Sequence, residues 1–151
     1  MVSCIGVATF VPYLFTVASI KEAQAQSFSR NRKDLNGLLI RNPGTGAIYW
    51  VDRGQRRHIS GPSIYTSLFE PRDRDYLDTD AVEEGLPITN DNRLVRCGER
   101  NHSLFGRIYL LDNGTKRHIV SPSVMRKNNF KGAGNIDCPV LTSIPDGDSI
   151  R

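Results

Sequence analysis

The chain has 151 residues, 38% of them hydrophobic and 24% charged, with a formal net charge of +4. That length suits one domain with a modest core. The positive excess is mild and interleaved with acidic residues, and no basic block is longer than Arg30-Asn31-Arg32-Lys33. Solubility accounts for such a charge, and nucleic acid is not an expected partner.

Residues 4–20 form an apolar run interrupted by Pro12 and followed by Lys21, Glu22 and the small-x-small sequence Ala23-Gln24-Ala25. The run is shorter than the ~20 apolar residues a spanning helix needs. It predicts a cleaved signal peptide over 1–25, a secreted or cell-envelope location, and no membrane attachment after cleavage. A retained anchor is the alternative, because no Lys or Arg precedes the apolar run. Residues 26–37 are polar and of mixed charge and read as a linker.

A domain over 38–151 follows, and it repeats itself. Ile48-Tyr49-Trp50-Val51-Asp52-Arg53-Gly54-Gln55-Arg56-Arg57-His58-Ile59 returns as Ile108-Tyr109-Leu110-Leu111-Asp112-Asn113-Gly114-Thr115-Lys116-Arg117-His118-Ile119, a constant offset of 60 residues. A residue held at both equivalent positions builds the repeated unit before it carries one-off chemistry. The first unit, about 38–88, reads as a strand over 38–41, a turn at Asn42-Pro43-Gly44-Thr45-Gly46, a strand over 48–52, a reversal at Arg53-Gly54 and a strand over 55–60. Pro62 then opens a short helix, an acidic stretch follows, and Gly85-Leu86-Pro87 closes the unit. The second unit, about 89–145, reads as a strand over 93–96, a longer loop, strands over 108–112 and 115–120, a helix from Pro122 and a close at Ile144-Pro145. Residues 148–151 resemble the opening strands Leu39-Ile40-Arg41 and Leu94-Val95-Arg96 and predict a closing strand. The expected fold is β-rich α+β: two tandem repeats of β-hairpin plus short helix in one pseudo-symmetric domain, an arrangement that avoids the bare ends of an open two-repeat stack.

Asn113-Gly114 is the strongest two-residue hairpin signal, because both central positions need positive φ. It sets Ile108 opposite Ile119, Tyr109 opposite His118, Leu110 opposite Arg117 and Leu111 opposite Lys116. The first unit follows with Tyr49 opposite His58 and Trp50 opposite Arg57, although Arg53-Gly54 is a poorer turn sequence. Alternation places Ile48, Trp50, Arg57 and Ile59 on one face and Tyr49, Val51, Arg56 and His58 on the other. Trp50, whose counterpart is Leu110, reads as a core residue with Arg57 against its ring.

Once Cys4 leaves with the signal peptide, Cys97 and Cys138 remain and are expected to form one disulfide closing a loop of about 40 residues, with ~3–4 kcal/mol of stabilisation. Neither has a repeat counterpart. The segment 97–107 is eleven residues against six in 42–47 and is what the repeat does not explain. Its Arg100, His102 and Phe105, together with Tyr49 and Tyr109 as exposed aromatics, are the candidate ligand-binding residues. The stretch Asp73 to Glu84 holds hard oxygen ligands suited to calcium. Its spacing departs from an EF-hand loop and Arg72 and Arg74 neutralise part of its charge, so no metal or cofactor is expected. Gly132-Ala133-Gly134 follows a helix and reads as its stop, not as a nucleotide loop.

The pattern Ile-Tyr, then Gly, then Arg/Lys-Arg-His-Ile, Pro-Ser, Phe and a closing Leu/Ile-Pro resembles a short tandem repeat of secreted and cell-wall-associated bacterial proteins. The resemblance implies a secreted, non-catalytic module that binds an extracellular glycan or protein surface, with a cell-envelope polysaccharide as first choice. One alternative is a small secreted hydrolase or nuclease in which His58 and His118 act as acid and base. Another is a structural protein that self-associates through sheet edges.

Overall fold

A computed structural model describes residues 30–71, 75–76 and 78–151, so the predicted signal peptide and residues 72–74 and 77 of the acidic stretch lie outside the described residues. The first sheet is built on β1 (Leu39–Arg41), β2 (Ile48–Asp52) and β3 (Gln55–His58), paired antiparallel in that order. Its two edges are parallel additions: β4 (Asp75–Tyr76) beside β1 and β5 (Glu83–Glu84) beside β3. The second sheet repeats that order, with β6 (Arg93–Cys97), β7 (Ile108–Asp112) and β8 (Thr115–Ile119) antiparallel, β9 (Gly134–Ile136) parallel to β6 and β10 (Asp146–Ile150) parallel to β8. Among the described residues, three short α-helices complete the β-rich α+β fold: α1 (Pro62–Leu68), α2 (Pro122–Lys127) and α3 (Cys138–Ser143). No described helix is long and apolar enough to cross a membrane.

The hairpin registers are those the turns dictate. Tyr109 pairs with His118 and Leu110 with Arg117, while Tyr49 pairs with His58 and Trp50 with Arg57. Asn113 and Gly114 have φ of 48° and 72°, and Arg53 and Gly54 have φ of 54° and 79°. Both reversals therefore have the positive φ pair of a I′ turn, and arginine at the first position does not change the geometry. The predicted linker supports the weaker turn. The Asn36 side chain accepts from the Gly54 N–H at 2.7 Å, the Arg32 N–H donates to the Gly54 carbonyl at 2.8 Å, and Asn31 donates to the Arg53 carbonyl at 3.1 Å. A side chain at Gly54 would lie 2.2 Å from Asn31, so this docking requires glycine there as well as its positive φ.

Alternation decides what is buried. Trp50, Ile59, Leu68, Phe69 and Ile88 from the first half share one core with Leu94, Leu110, Ile119, Phe130 and Ile150 from the second. Trp50 is fully buried, donates its indole N–H to Asn128 at 3.0 Å, and stands edge-on to Phe130 at 5.2 Å between ring centroids. The Arg57 guanidinium lies 5.6 Å from its ring centroid. A bridge between Phe69 and Phe130 joins the segments that follow α1 and α2.

The opposite face of each sheet is covered too. Ile40, Val51 and Val82 form a small cluster in the first sheet, and Val95, Tyr109, Leu111 and Leu141 gather around Cys97 and Cys138 in the second. Cys97 and Cys138 are disulfide-bonded, joining the end of β6 to the start of α3. Covered faces correct one expectation: Tyr109 is 3% exposed and is a core residue, not a surface aromatic.

The acidic stretch forms a 3-10 turn at Thr79–Ala81, where Asp78 accepts from the Asp80 N–H, and Glu83–Glu84 extend as strand. Arg56 pairs with Asp80 at 2.6 Å and with Glu84 at 3.6 Å, so these carboxylates are held by a cation of the protein itself. Residues 146–150 pair parallel with β8, the place β5 holds beside β3, whereas Leu39–Arg41 and Arg93–Cys97 pair antiparallel with the hairpins.

Candidate functional site

The histidines attract chemistry first, and each is tied to its facing tyrosine. Tyr49 and His58 rings are 5.3 Å apart, as are Tyr109 and His118. Tyr49 is half-buried with the Arg56 guanidinium 5.2 Å from its ring centroid. His58 and His118 line different grooves. Two-histidine acid–base chemistry needs both imidazoles within reach of one substrate, and this placement does not supply that.

The long loop is ordered around its own histidine. His102 is half-buried and its Nδ1 accepts from the Leu104 N–H at 3.1 Å, while Arg100 is exposed and Phe105 is 49% exposed. Cys97, His102 and Cys138 bring their donor atoms within 4.8 Å of one another. Zinc is held by thiolates, and here the two sulfurs are bonded to each other. The loop residues and the two tyrosines do not converge on a single cleft: the loop's end, Gly106 and Arg107, reaches a groove, while Tyr109 is sealed in the core.

A buried ionic cluster joins the two hairpins. Arg57 holds Asp112 in a bidentate pair at 2.7 and 2.7 Å, and Arg117 holds Asp52 at 2.6 and 3.0 Å. Each arginine also reaches the aspartate of its own hairpin, at 3.2 Å for Arg57–Asp52 and 3.0 Å for Arg117–Asp112. The Nε–H groups are used as well, with Nε of Arg57 donating to the Leu86 carbonyl and Nε of Arg117 to that of Asp148. Burial is the largest single influence on Asp112 and would raise its carboxyl. The hydrogen bonds and charges of Arg57 and Arg117 together outweigh it and hold the group at about 2. A depression of about 610 Å³ opens beside Asp112 near the Asn113-Gly114 turn, but that carboxylate is saturated by Arg57, Arg117 and Asn92. The cluster is a joint between hairpins, since its charges are spent on one another.

What the sequence reading missed is a pair of apolar grooves between each hairpin and the helix that follows it. The first, about 520 Å³, has Ile48, His58, Ile59, Pro62, Tyr65 and Thr66 in its wall. The second, about 420 Å³, has Ile108, His118, Ile119, Pro122, Met125 and Arg126. Every residue lining the second lies 60 positions after one lining the first. The volumes fall within the range of small-ligand sites. The repeat carried the signal, since the apolar ends of both hairpins and both Pro-Ser helix starts were visible in it, but their convergence on a concavity was not.

The grooves share a shape and differ in charge. Ala47 and Thr66 in the first correspond to Arg107 and Arg126 in the second. Both arginines are exposed, and neither is paired with a carboxylate among the described residues. Burial, and after it the charge of Arg107, hold the His118 imidazole below its ordinary 6.5. It is therefore neutral at pH 7 and presents a ring rather than a cation. The chain matches no protein-family model, no curated protein and no solved structure.

Proposed function

We propose that the protein is a secreted, non-catalytic binding module built from two pseudo-symmetric units, each offering one groove to an extracellular partner, a cell-envelope polysaccharide before a protein surface. The observation that carries this reading is the residue-by-residue correspondence of the two grooves. A duplicated concavity suits a partner that presents the same chemistry repeatedly, because engaging two elements of one polymer raises avidity without any new contact. Ile, Pro, Tyr and Met side chains give an apolar floor for the C–H face of a sugar ring, with imidazole and backbone groups at the margin. The disulfide is compatible with an oxidising, extracellular setting, and the likeness to wall-associated repeats points the same way.

Filling the grooves tests this. Thr66 and Val120 are exposed lining residues, one in each groove, so Thr66→Trp and Val120→Trp block them without cutting into the core. Each substitution alone weakens binding of envelope polysaccharide in a titration calorimeter, and the two together abolish it while far-ultraviolet circular dichroism is unchanged. Failure of the unsubstituted protein to bind envelope polysaccharide, or full binding by the doubly filled variant, sinks the reading.

A further inference from the structure

We infer that the second groove selects an acidic polysaccharide, taking a pyranose ring on its apolar floor and the ring's carboxylate between Arg107 and Arg126. The inference rests on the groove reading above and goes beyond it to a ligand class. The duplication acts as an internal control. Positions that build the concavity are the same in both units: Ile48 and Ile108, His58 and His118, Ile59 and Ile119, Pro62 and Pro122. The maintenance of a hairpin–helix junction explains those pairs without any ligand. It does not explain why a neutral alanine and threonine in one groove are two arginines in the other.

The placement of the two cations is specific. Arg107 follows Gly106, whose φ of 75° turns the long loop back into β7, and Arg126 stands in the last turn of α2. They reach the same groove from separate elements, with no carboxylate in the lining of that groove to neutralise them. By contrast, Arg56, Arg57 and Arg117 on the hairpins each hold aspartates. A guanidinium offers a planar pair of donors that matches a carboxylate, whose hydrogen bonds to it are about twice as strong as neutral ones. Burial and the charge of Arg107 disfavour a third charge on His118, so the groove is an apolar slot with two cations in its lining. A uronic-acid residue has the complementary form, an apolar ring face bearing one carboxylate. The first groove has Ala47 and Thr66 in those places.

The test compares an oligogalacturonate with its carboxyl-reduced, neutral counterpart, each titrated calorimetrically into the full disulfide-bonded chain at moderate salt. The unsubstituted protein is expected to prefer the uronate by roughly tenfold, the scale of a lost charged hydrogen bond. Arg107→Gln with Arg126→Gln removes that preference, bringing the ratio of uronate to neutral affinity to about one. The converse variant, Ala47→Arg with Thr66→Arg, installs the preference in the first groove and raises the number of high-affinity uronate sites from one to two. Equal binding of both oligomers, indifferent to the arginines, overturns the inference and leaves the groove reading standing. Tighter binding of a polyglycerol phosphate or of an acidic peptide than of the uronate also overturns it, by naming another occupant. No binding of any of these polymers overturns both.

Discussion

Asp112→Ala lowers the stability of the folded chain by roughly 3–5 kcal/mol, the scale on which a buried ion pair is broken from one side. The residue is 3% exposed, and its loss leaves Arg57 and Arg117, each about 2% exposed, to share Asp52. A buried cluster of two positive and two negative charges becomes one with an uncompensated positive charge on side chains that are almost fully buried. Urea denaturation measures the effect as a lower midpoint with the slope unchanged. Replacing all four residues together by Leu and Met restores stability to within about 2 kcal/mol of the parent, because the cost of desolvating the ions disappears with them. A single-substitution loss below about 1 kcal/mol would show the cluster to be a surface-like network that solvent relaxes.

The same cluster predicts an acid transition. The Asp112 carboxyl is at about 2 in the folded chain against an ordinary 3.8, so the group contributes stability that is complete above about pH 4. That contribution, roughly 2 kcal/mol, is lost as the pH falls through about 2. Stability measured between pH 5 and 1.5 therefore falls in the parent, and falls less steeply in Asp112→Asn, which has no carboxyl at that position to protonate.

Legibility of this fold in the sequence follows the range of the interactions. The hairpins were readable because a two-residue turn fixes register locally, and a register error would move every side chain to the wrong face. Arg53-Gly54 shows the strength of that logic, since the repeat predicts its turn where residue preference does not. Tyr109 shows the limit. Alternation put it correctly opposite Trp50's face of the pattern, but the assumption that the second face meets water failed, because α3 and the disulfide cover it. α3 and β9 were themselves invisible: six residues beginning Cys138-Pro139 and three beginning at Gly134 carry no period long enough to read. The reciprocal Arg–Asp pairs depend on how one hairpin sits against the other. Arg57 was read against Trp50, its neighbour across the strand, while its strongest partner, Asp112, lies 55 residues away. The grooves were hidden for the same reason. The informative differences, Ala47 against Arg107 and Thr66 against Arg126, were in plain view, but only a shared concavity makes a pair of them.

Removing the disulfide with Cys97→Ala and Cys138→Ala is the second large effect expected, a loss of roughly 4 kcal/mol for a link across 41 residues in the chain-entropy description. Alanine is the informative replacement, because both sulfurs are buried and a serine hydroxyl would add an unsatisfied polar group to the loss. The consequence is local before it is global. α3 has only six residues, too few to hold a helix in water without tertiary contacts, and its buried anchors are Cys138 and Leu141. β9 pairs with β6 on one side through three residues ending opposite Cys97. Without the cross-link, both are held to the second sheet by that short pairing and the small cluster around Tyr109 and Leu111 alone. Amide hydrogen exchange in the double-alanine protein should therefore speed up at 134–143 well before it does at β2 and β3, which the ionic joint and the main core retain. The midpoint of urea unfolding drops in parallel. Uniform acceleration across both sheets would mean that the disulfide holds the two hairpins together, and a midpoint shift worth less than about 1 kcal/mol would mean that packing around Leu141 already fixes α3 without it.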